Sequence, residues 1–212
     1  MNSLKEQLLD RYGYNEPIII NQMRNEYFGL KKDSLRRNLN RLVQKGEVER
    51  FSEGVYYFPK WNKLLNRKSL ISEQAVIEKK YIRNDTDVYG YVSGLAFANQ
   101  LKLTTQVPAL LEIVTEHNAS KKRMVTLKNY TLILRKPKVP VTSQNVKWLQ
   151  VLDLLSGSSA YIETDLTYTR EQIKRYLTST TPCVGDYEWI LSQYSRKTRE
   201  RLKELGIDDA VI

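Results

Sequence analysis

The chain has few of the residues that build disulfide, metal or membrane sites. Its 212 residues include one cysteine and one histidine. A single cysteine excludes an intrachain disulfide framework and is typical of a reducing compartment. No apolar run approaches the roughly 18 residues that a transmembrane helix needs, and the first residues do not follow the charged-then-apolar order of a signal peptide. The sequence therefore predicts a cytoplasmic protein.

Catalytic motifs are scarce as well. The sequence has no CxxC, HExxH or Walker-type phosphate loop, so zinc and nucleoside triphosphate sites have no support. In the segment 90–94, GYVSG, the serine stands one place too late for a Gly-x-Ser-x-Gly nucleophile elbow. His117 lies in a polar stretch without a fixed partner in sequence, and we predict an exposed turn residue. We therefore expect no catalytic residue, no metal site and no cofactor.

Three acidic residues leave alternatives to consider. Asp85 and Asp87 have the spacing of a nucleotidyltransferase metal pair, but no phosphate-binding Gly-Ser turn accompanies them. Turn formation is the preferred interpretation of this pair. Glu112 lies on a predicted strand, as in a metal-dependent nuclease, although Val114 occupies the place where a lysine would usually follow. These patterns favour a binding protein over an enzyme.

The charge of the chain favours a polyanionic partner. Lys and Arg number 34 against 24 Asp and Glu, which gives a net charge of +10. Residues 1–72 hold 14 basic and 8 acidic residues, so the excess is denser in the first third. A basic surface attracts nucleic acid, although it also serves solubility. The net charge alone does not distinguish these two roles, but a basic helix in the first third of the chain favours nucleic acid.

The segment 31–59 combines a basic amphipathic helix with a hairpin. Its apolar residues recur at helical spacing and predict a buried stripe. We expect Asp33 or Ser34 to cap the start of the helix and Gly46 to provide a left-handed cap at its end. The runs EVERF and VYYFP then flank residues 52–54, which is a hairpin signal. The stripe consists of Leu35, Leu39, Leu42 and Val43.

The preceding residues complete a DNA-binding pattern. Ser3 and Glu6 form a capping box before a first helix that ends at Gly13. Residues 17–19 are predicted to form a short strand that pairs with the hairpin, and residues 20–28 a second helix. Helix, strand, helix, recognition helix and hairpin are, in this order, typical of a winged helix-turn-helix. The aromatic residues predicted to pack the hairpin onto the core are Tyr56, Tyr57 and Phe58.

We predict an α+β protein whose N-terminal winged helix-turn-helix domain is followed by a mixed α/β domain. The predicted boundaries are 1–60 for the first domain, 61–72 for a polar and basic junction, and 73–212 for the second domain. The predicted helices of the second domain are 73–81, 93–101, 145–155, 169–177, 186–194 and 195–205, with a turn at 84–87, strands at 110–115 and 130–134 and a short strand between them.

Two segments together resemble the AbiEi antitoxins of bacterial abortive-infection systems. The first is SLRRNLNRLVQKGEVERFSEGVYYFP at 34–59, a pattern that many winged-helix proteins share. The second, YGYVSGLAFANQLKLTTQVPALLEIVT at 89–115, is more specific because GYVSG and LTTQVP follow that winged helix. The resemblance covers roughly residues 1–155.

The resemblance implies a function in phage defence. It implies a C-terminal antitoxin domain and a transcriptional repressor that autorepresses its toxin–antitoxin operon. The implied toxin is a nucleotidyltransferase encoded beside the antitoxin, and the implied neutralisation is of type IV, which requires no stable complex between the two proteins. It assigns no residue of the C-terminal domain to neutralisation.

Helix geometry then places the contacts to double-stranded operator DNA. Three residues at the start of the recognition helix are expected to meet phosphates, and three on its outer face to enter the major groove, where Arg pairs with guanine and Asn with adenine. The hairpin is expected to approach the backbone or minor groove. Several copies are expected to bind cooperatively, since one winged helix covers a short site. The predicted DNA-binding residues are Lys31, Lys32, Ser34, Arg37, Asn40, Arg41, Arg50 and Ser52.

An alternative function stays open at this point. The winged helix would be an interaction module for protein or RNA, and the C-terminal domain a nucleic-acid-processing enzyme with a phosphate-lined active site. The further basic clusters at 121–123, 135–138 and 195–205 are compatible with a second phosphate-contacting surface or with ordinary solvated surface.

Overall fold

The chain forms two compact units, Met1–Lys80 and Tyr81–Ile212. The computed structural model describes residues 3–23, 26–27, 29–178 and 187–207. Helices and strands are mixed along the chain, which confirms the predicted α+β class. None of the helices in these ranges has both the length and the apolar character needed to span a bilayer. Cys183 lies outside the described residues.

The first unit alternates short helices with very short strands. A π-helical segment, Glu78–Ile82, follows its last helix. Its elements in chain order are α1 (Leu4–Tyr12), β1 (Ile18–Ile19), a 3-10 turn (Ile20–Gln22), β2 (Glu26–Tyr27), β3 (Leu30–Lys31), α2 (Lys32–Gln44), β4 (Glu49–Ser52), β5 (Val55–Tyr57), β6 (Trp61–Asn62), β7 (Arg67–Lys68) and α3 (Glu73–Ile77).

The two longest helices of this unit begin and end largely as the sequence predicts. The Ser3 hydroxyl accepts the Glu6 N–H while the Glu6 carboxylate accepts the Ser3 N–H, so the predicted capping box on α1 is confirmed. Gly46 follows α2 with φ +69°, a left-handed conformation that favours glycine. The predicted side-chain cap by Asp33 or Ser34 is wrong, because β3 leads straight into α2 and leaves Lys31 at the N-cap position.

The apolar stripe of α2 is confirmed. Leu35 and Leu39 are fully buried beside Leu8, Ile18 and Phe58, and two half-buried residues pack against the same cluster. A face that is closed in this way leaves the opposite side of α2 to solvent. The half-buried members of the stripe are Leu42 and Val43.

The predicted second helix at 20–28 is wrong in the described residues. A 3-10 turn occupies Ile20–Gln22, and Tyr27 then pairs with Leu30 in the β2–β3 hairpin. Gly29 closes this hairpin with φ +70°, so the backbone groups of β2 bond across a turn instead of along a helix. Phe28, part of the predicted helix, lies outside the described residues. Ile20 and Met23 of the same segment are buried although they are not on an α-helix.

The hairpin after α2 is confirmed. Strands β4 and β5 pair antiparallel, and Gly54 in the turn has φ +70°. Strand β1 adds to β5 with Ile18 opposite Tyr56, as predicted for residues 17–19. The predicted packing of the hairpin aromatics onto the helical core is confirmed for Tyr56 and Phe58, which are buried beside Leu35 and Leu39. It is wrong for Tyr57, which is buried in a separate cluster with Ile71 and Val76.

The segment 61–72, which the sequence analysis treats as a junction, has structure of its own. Strands β6 and β7 form a hairpin within it, and Ile71 is buried against Tyr57. Val76 of α3 joins the same apolar cluster. By packing, the first unit therefore extends to Lys80, because these apolar side chains complete the cover over β5.

The second unit is built on a mixed four-stranded sheet of order β10-β11-β9-β8, in which β9 and β11 are parallel. The predicted helices and strands are confirmed in type, while position 186 lies outside the described residues. The elements are β8 (Gly90–Ser93), α4 (Gly94–Gln100), β9 (Leu111–Thr115), β10 (Lys122–Thr126), β11 (Thr131–Arg135), α5 (Val146–Ser156), α6 (Ser158–Tyr161), α7 (Leu166–Leu177), α8 (Tyr187–Ser192) and α9 (Arg196–Glu204).

The GYVSG motif is explained by packing in the second unit. A Cβ on Gly90 would lie 2.0 Å from the Tyr81 carbonyl oxygen and 2.7 Å from that of Val114. Gly94 has φ +62°, and a Cβ there would lie 3.0 Å from the Glu112 carboxyl carbon. Gly90 is therefore required by the close approach of β8 to neighbouring backbone, and Gly94 by its left-handed conformation at the start of α4. Neither glycine needs a catalytic explanation.

Candidate nucleic-acid interface

The exposed face of α2 carries the predicted base-contacting arginines. Arg37 and Arg41 lie one turn apart and are both exposed, because the leucines of the same helix point into the core. The Arg37 Nη2 donates to the Ser34 hydroxyl at 3.2 Å, so these two predicted residues are brought together. This contact lies on the exposed helix surface, where the guanidinium is accessible to a ligand. The two arginines form the centre of a cationic stripe.

Asn40 forms a hydrogen bond within the protein that the sequence did not predict. Its Oδ1 accepts the Tyr56 hydroxyl at 3.0 Å, which links α2 to β5. A carbonyl oxygen has two lone pairs, and both amide N–H groups of Asn40 remain donors, so a base edge still finds complementary groups. The signal for this bond was the tyrosine itself, since a buried tyrosine needs a partner for its hydroxyl.

The start of α2 is suited to phosphate. Among the described residues no side chain caps its first turn, so its backbone N–H groups and the positive end of the helix dipole are left for a ligand, although Asp33 places a negative charge in the same turn. Lys31 is exposed at the N-cap position, and Lys32 is half-buried at the first helical position. The arrangement has the chemistry of an anion-binding helix terminus, and a phosphate contact at this end of the helix stays a prediction.

The flank of α2 is fixed to the preceding turn. The Arg36 Nη2 donates to the Asn21 Oδ1 at 3.2 Å, which joins α2 to the 3-10 turn that replaces the predicted second helix. Arg36 is therefore held at the edge of the exposed face, and no local pattern predicts this bond between residues 15 positions apart.

The β4–β5 hairpin contributes one exposed cation. Arg50 is exposed, and its Nε donates to the Ser52 carbonyl at 3.4 Å, so it lies along its own strand. Ser52 is half-buried and pairs with Val55. Glu53 stands exposed in the turn, where its negative charge opposes phosphate. Arg50, and not the tip of the hairpin, is therefore the element suited to a DNA backbone contact.

One cation outside α2 is paired with a carboxylate. The Lys5 ammonium lies 2.9 Å from the Glu47 carboxylate. The hydrogen bond and charge of Glu47 raise the pKa of Lys5, and the same hydrogen bond lowers the pKa of Glu47. This pair therefore adds no net charge to the surface of the unit.

The second unit contains a polar cluster that the sequence analysis missed. The Arg135 Nε lies 3.3 Å from Glu112, and its Nη2 donates to the Ser93 hydroxyl at 3.1 Å. Asp153, nearly buried on α5, has an oxygen 3.9 Å from Arg135 and another 3.9 Å from the Lys138 ammonium. Two carboxylates thus face two cations, so the cluster has no surplus positive charge to offer a phosphate.

Buried phenols close this cluster. The Tyr91 hydroxyl donates to Asp153 at 3.0 Å, and burial together with the Asp153 charge holds the pKa of Tyr91 well above its usual value. Burial, followed by the same carboxylate, raises the pKa of Tyr194. Lys138 lies 3.9 Å from the centre of the Tyr194 ring, and its pKa is lowered mainly by burial. The phenols stay protonated at neutral pH, and the network ties the sheet to α5.

The acidic residues and the histidine that were considered as catalytic candidates lie in turns or in an ion pair. The Asn84 Oδ1 accepts the N–H groups of Thr86 and Asp87, which confirms the predicted turn. His117 is exposed in a turn, as predicted, with its ring 4.0 Å from that of Tyr89. Glu112 is paired with Arg135, and within the described ranges no three His, Cys, Asp or Glu side chains converge as a metal-binding group.

The basic clusters of the second unit are partly engaged. Arg196 is paired with Glu200 at 2.7 Å, and Arg201 donates to the Leu155 carbonyl at 2.9 Å. Lys122 and Arg123 are exposed on β10, an edge strand of the sheet. Charged residues are common on exposed edge strands, where they discourage pairing with other chains. Neither the α9 cluster nor the β10 cluster combines exposed arginines one helical turn apart with an uncapped helix start, as α2 does.

The family of the chain follows from comparison with family models. No curated protein matches the sequence. One family model matches residues 21–154, which include α2, the β4–β5 hairpin and the sheet of the second unit. The match covers more than half of the chain, and the chain therefore belongs to DUF6088, a family of unknown function.

Proposed function

We propose that the protein is a sequence-specific DNA-binding repressor whose first unit acts as a winged helix-turn-helix, in which the 3-10 turn Ile20–Gln22 and the β2–β3 hairpin stand in place of the helix before α2. In this proposal α2 is the recognition helix and the β4–β5 hairpin is the wing. The observation that carries it is the exposed pair Arg37 and Arg41, held on a helix whose other face is closed by fully buried leucines. Arginines on a rigid helix make the commonest specific contact in the major groove, which is with guanine.

We further propose that the protein is the antitoxin of a toxin–antitoxin system. This part rests on the resemblance of GYVSG and LTTQVP, together with the preceding segment 34–59, to the AbiEi antitoxins. The partner would be a nucleotidyltransferase toxin encoded beside it, neutralised without a required stable complex. The protein would act in the cytoplasm by binding and not as an enzyme, and would autorepress its own operon in a phage-defence role.

Binding to the DNA upstream of its own gene tests the repressor function. In a gel-shift assay we expect the full-length protein to retard this DNA and to give more than one shifted band as further copies bind. The complex should persist when an excess of unrelated duplex is added as competitor. Each phosphate neutralised by Lys or Arg contributes about −0.9 to the slope of log affinity against log salt. With several cations on α2, we expect a slope of roughly −3 or steeper. A flat salt response, or equal competition by unrelated DNA, would contradict the proposal.

Separated units should divide the two proposed activities. Each unit has its own apolar core, so we expect residues 1–80 and 81–212 to fold as separate fragments. The fragment 1–80, with 16 basic and 10 acidic residues, should retain salt-sensitive DNA binding. The fragment 81–212 should restore growth when co-expressed with the neighbouring toxin from an independent promoter. Growth restored by residues 1–80 alone would contradict this division, and an inactive fragment that melts without cooperativity would be traced to failed folding.

A further inference from the structure

The β6–β7 hairpin holds two leucines out in solvent. Its strands are joined by a four-residue turn, residues 63–66, in which Leu64 is 97% exposed and Leu65 is 58% exposed. Burying a leucine side chain stabilises a protein or complex, so two adjacent leucines in water forgo a substantial stabilisation. A contiguous exposed apolar patch with a polar rim is a feature of interaction sites.

The turn that presents these leucines is held in shape. The Asn62 Oδ1 accepts the Leu65 N–H at 3.0 Å, and Asn66 has φ +47°, a left-handed conformation that asparagine tolerates. The base of the hairpin is anchored by Lys68, whose ammonium donates to the Gly46 carbonyl at 2.7 Å and to the Glu49 carboxylate at 2.8 Å. The hairpin that carries the leucines is therefore attached to the residue pair Gly46 and Glu49, after the C-terminal end of α2 and at the start of β4.

Positive charge surrounds the two leucines. Residues 60–70 contain four basic residues and no acidic one. Lys68 is paired with Glu49, while the other three are exposed. An apolar tip flanked by cations matches the DNA minor groove, where phosphates line both walls and stacked bases lie at the floor. The exposed cations are Lys60, Lys63 and Arg67.

We propose that the β6–β7 hairpin is a second DNA-contacting element, which inserts Leu64 and Leu65 into the minor groove beside the site of α2 and kinks the duplex. This inference rests on the proposed DNA-binding function. Leucine wedges of this kind partly unstack a base step and bend DNA by about 20–90°. The flanking cations hold the phosphates on either side. Pyrimidine–purine steps unstack most easily, so we expect one at the point of insertion.

The test measures DNA bending and unstacking in the full-length complex. The probe is the upstream duplex, with a fluorophore pair at its ends and 2-aminopurine at the candidate step. The wild-type protein should shorten the end-to-end distance and raise the 2-aminopurine signal. The variant Leu64→Ser/Leu65→Ser should still shift the duplex but lose both signals. Leu70→Ser, at a leucine that is 71% exposed outside the turn, is the matched control and should behave as wild type. Circular dichroism checks that both variants are folded.

Each failure of this test has a distinct appearance. A wild-type protein that binds without bending the duplex, or a leucine variant that bends it equally, overturns the hairpin inference and leaves the repressor proposal standing. A wild-type protein that does not bind the upstream DNA at all overturns both. A further outcome is that the wild-type protein leaves the duplex unbent but co-sediments with phosphatidylglycerol vesicles. If Leu64→Ser/Leu65→Ser abolishes this co-sedimentation, the leucines bind a lipid surface. A halved molar mass of that variant would instead assign them to a second copy of the chain.

Discussion

The variant Arg37→Ala/Arg41→Ala is expected to lose at least about 30-fold in affinity for the operator, since each bidentate contact with guanine is worth about 1–3 kcal/mol. Both side chains are exposed on α2, so the loss should come from missing DNA contacts and not from unfolding. The measurement is fluorescence anisotropy with the operator duplex and with an unrelated duplex at one salt concentration. Affinity for the operator should fall more than affinity for the unrelated DNA, because phosphate contacts elsewhere remain.

A matched loss of charge separates sequence reading from general attraction. Lys197 and Arg199 are exposed on α9 in the second unit, and Lys197→Ala/Arg199→Ala removes the same two positive charges there. We expect this control to weaken binding to both duplexes slightly and equally. Denaturant unfolding of both double variants should agree with wild type to within about 0.5 kcal/mol, as is usual for exposed positions. Equal losses in the two double variants would remove α2 from the reading role.

The variant Leu39→Ala is expected to lower the free energy of unfolding of the first unit by about 2–5 kcal/mol. Leu39 is fully buried in the cluster that joins α1, α2 and the hairpin, so the substitution removes buried methyl groups and leaves a cavity. Domains of this size are stable by only about 5–15 kcal/mol, so the loss is a large fraction of the total. Urea unfolding followed by circular dichroism provides the measurement.

An exposed leucine provides the control for this core. Leu64→Ala removes the same atoms from a side chain that is 97% exposed, and should change the free energy of unfolding by less than about 0.5 kcal/mol. A cost below about 1 kcal/mol for Leu39→Ala would mean that the stripe of α2 does not hold the unit together. The two leucines thus distinguish the buried face from the surface of the same unit.

The elements that the sequence predicts well are those with local signals. The capping box at Ser3 and Glu6, the leucine stripe of α2, and the turn at Gly54 all depend on residues within a few positions of one another. The arginines at 37 and 41 follow from the same period, because a residue opposite a buried stripe has to face solvent. This half of the candidate interface could therefore be predicted from spacing alone.

The segment 20–28 shows where local signals fail. The spacing of Ile20 and Met23 fits a turn of 3-10 helix as well as an α-helix, and both residues are buried in the structure. A glycine that follows such a segment is common at helix ends, whereas the positive φ of Gly29 closes a hairpin between Tyr27 and Leu30. Glycine is compatible with a helix end and with a hairpin turn. The pairing between β2 and β3 decides between them, and the spacing of apolar residues within the segment does not predict that pairing.

The remaining contacts depend on distant pairing. The bond between Tyr56 and Asn40 exists because the hairpin folds back onto α2. The cluster of Glu112, Arg135 and Asp153 exists because β9 and β11 lie parallel and α5 packs over them. In a parallel pair the register is set by the whole crossover, so neighbouring residues in the sequence carry little information about which charges will meet.

The most direct measurement is a ¹⁵N–¹H correlation titration of the full-length protein with its operator duplex, beside a scrambled duplex of equal length. If α2 binds the operator through its exposed face, the largest shifts specific to the operator should map to 31–41, with the Arg37 and Arg41 side-chain Nε–H signals among them. Smaller shifts should follow at Arg50. If the specific shifts instead fall on the second unit, or if the two duplexes give the same pattern, α2 does not recognise the operator.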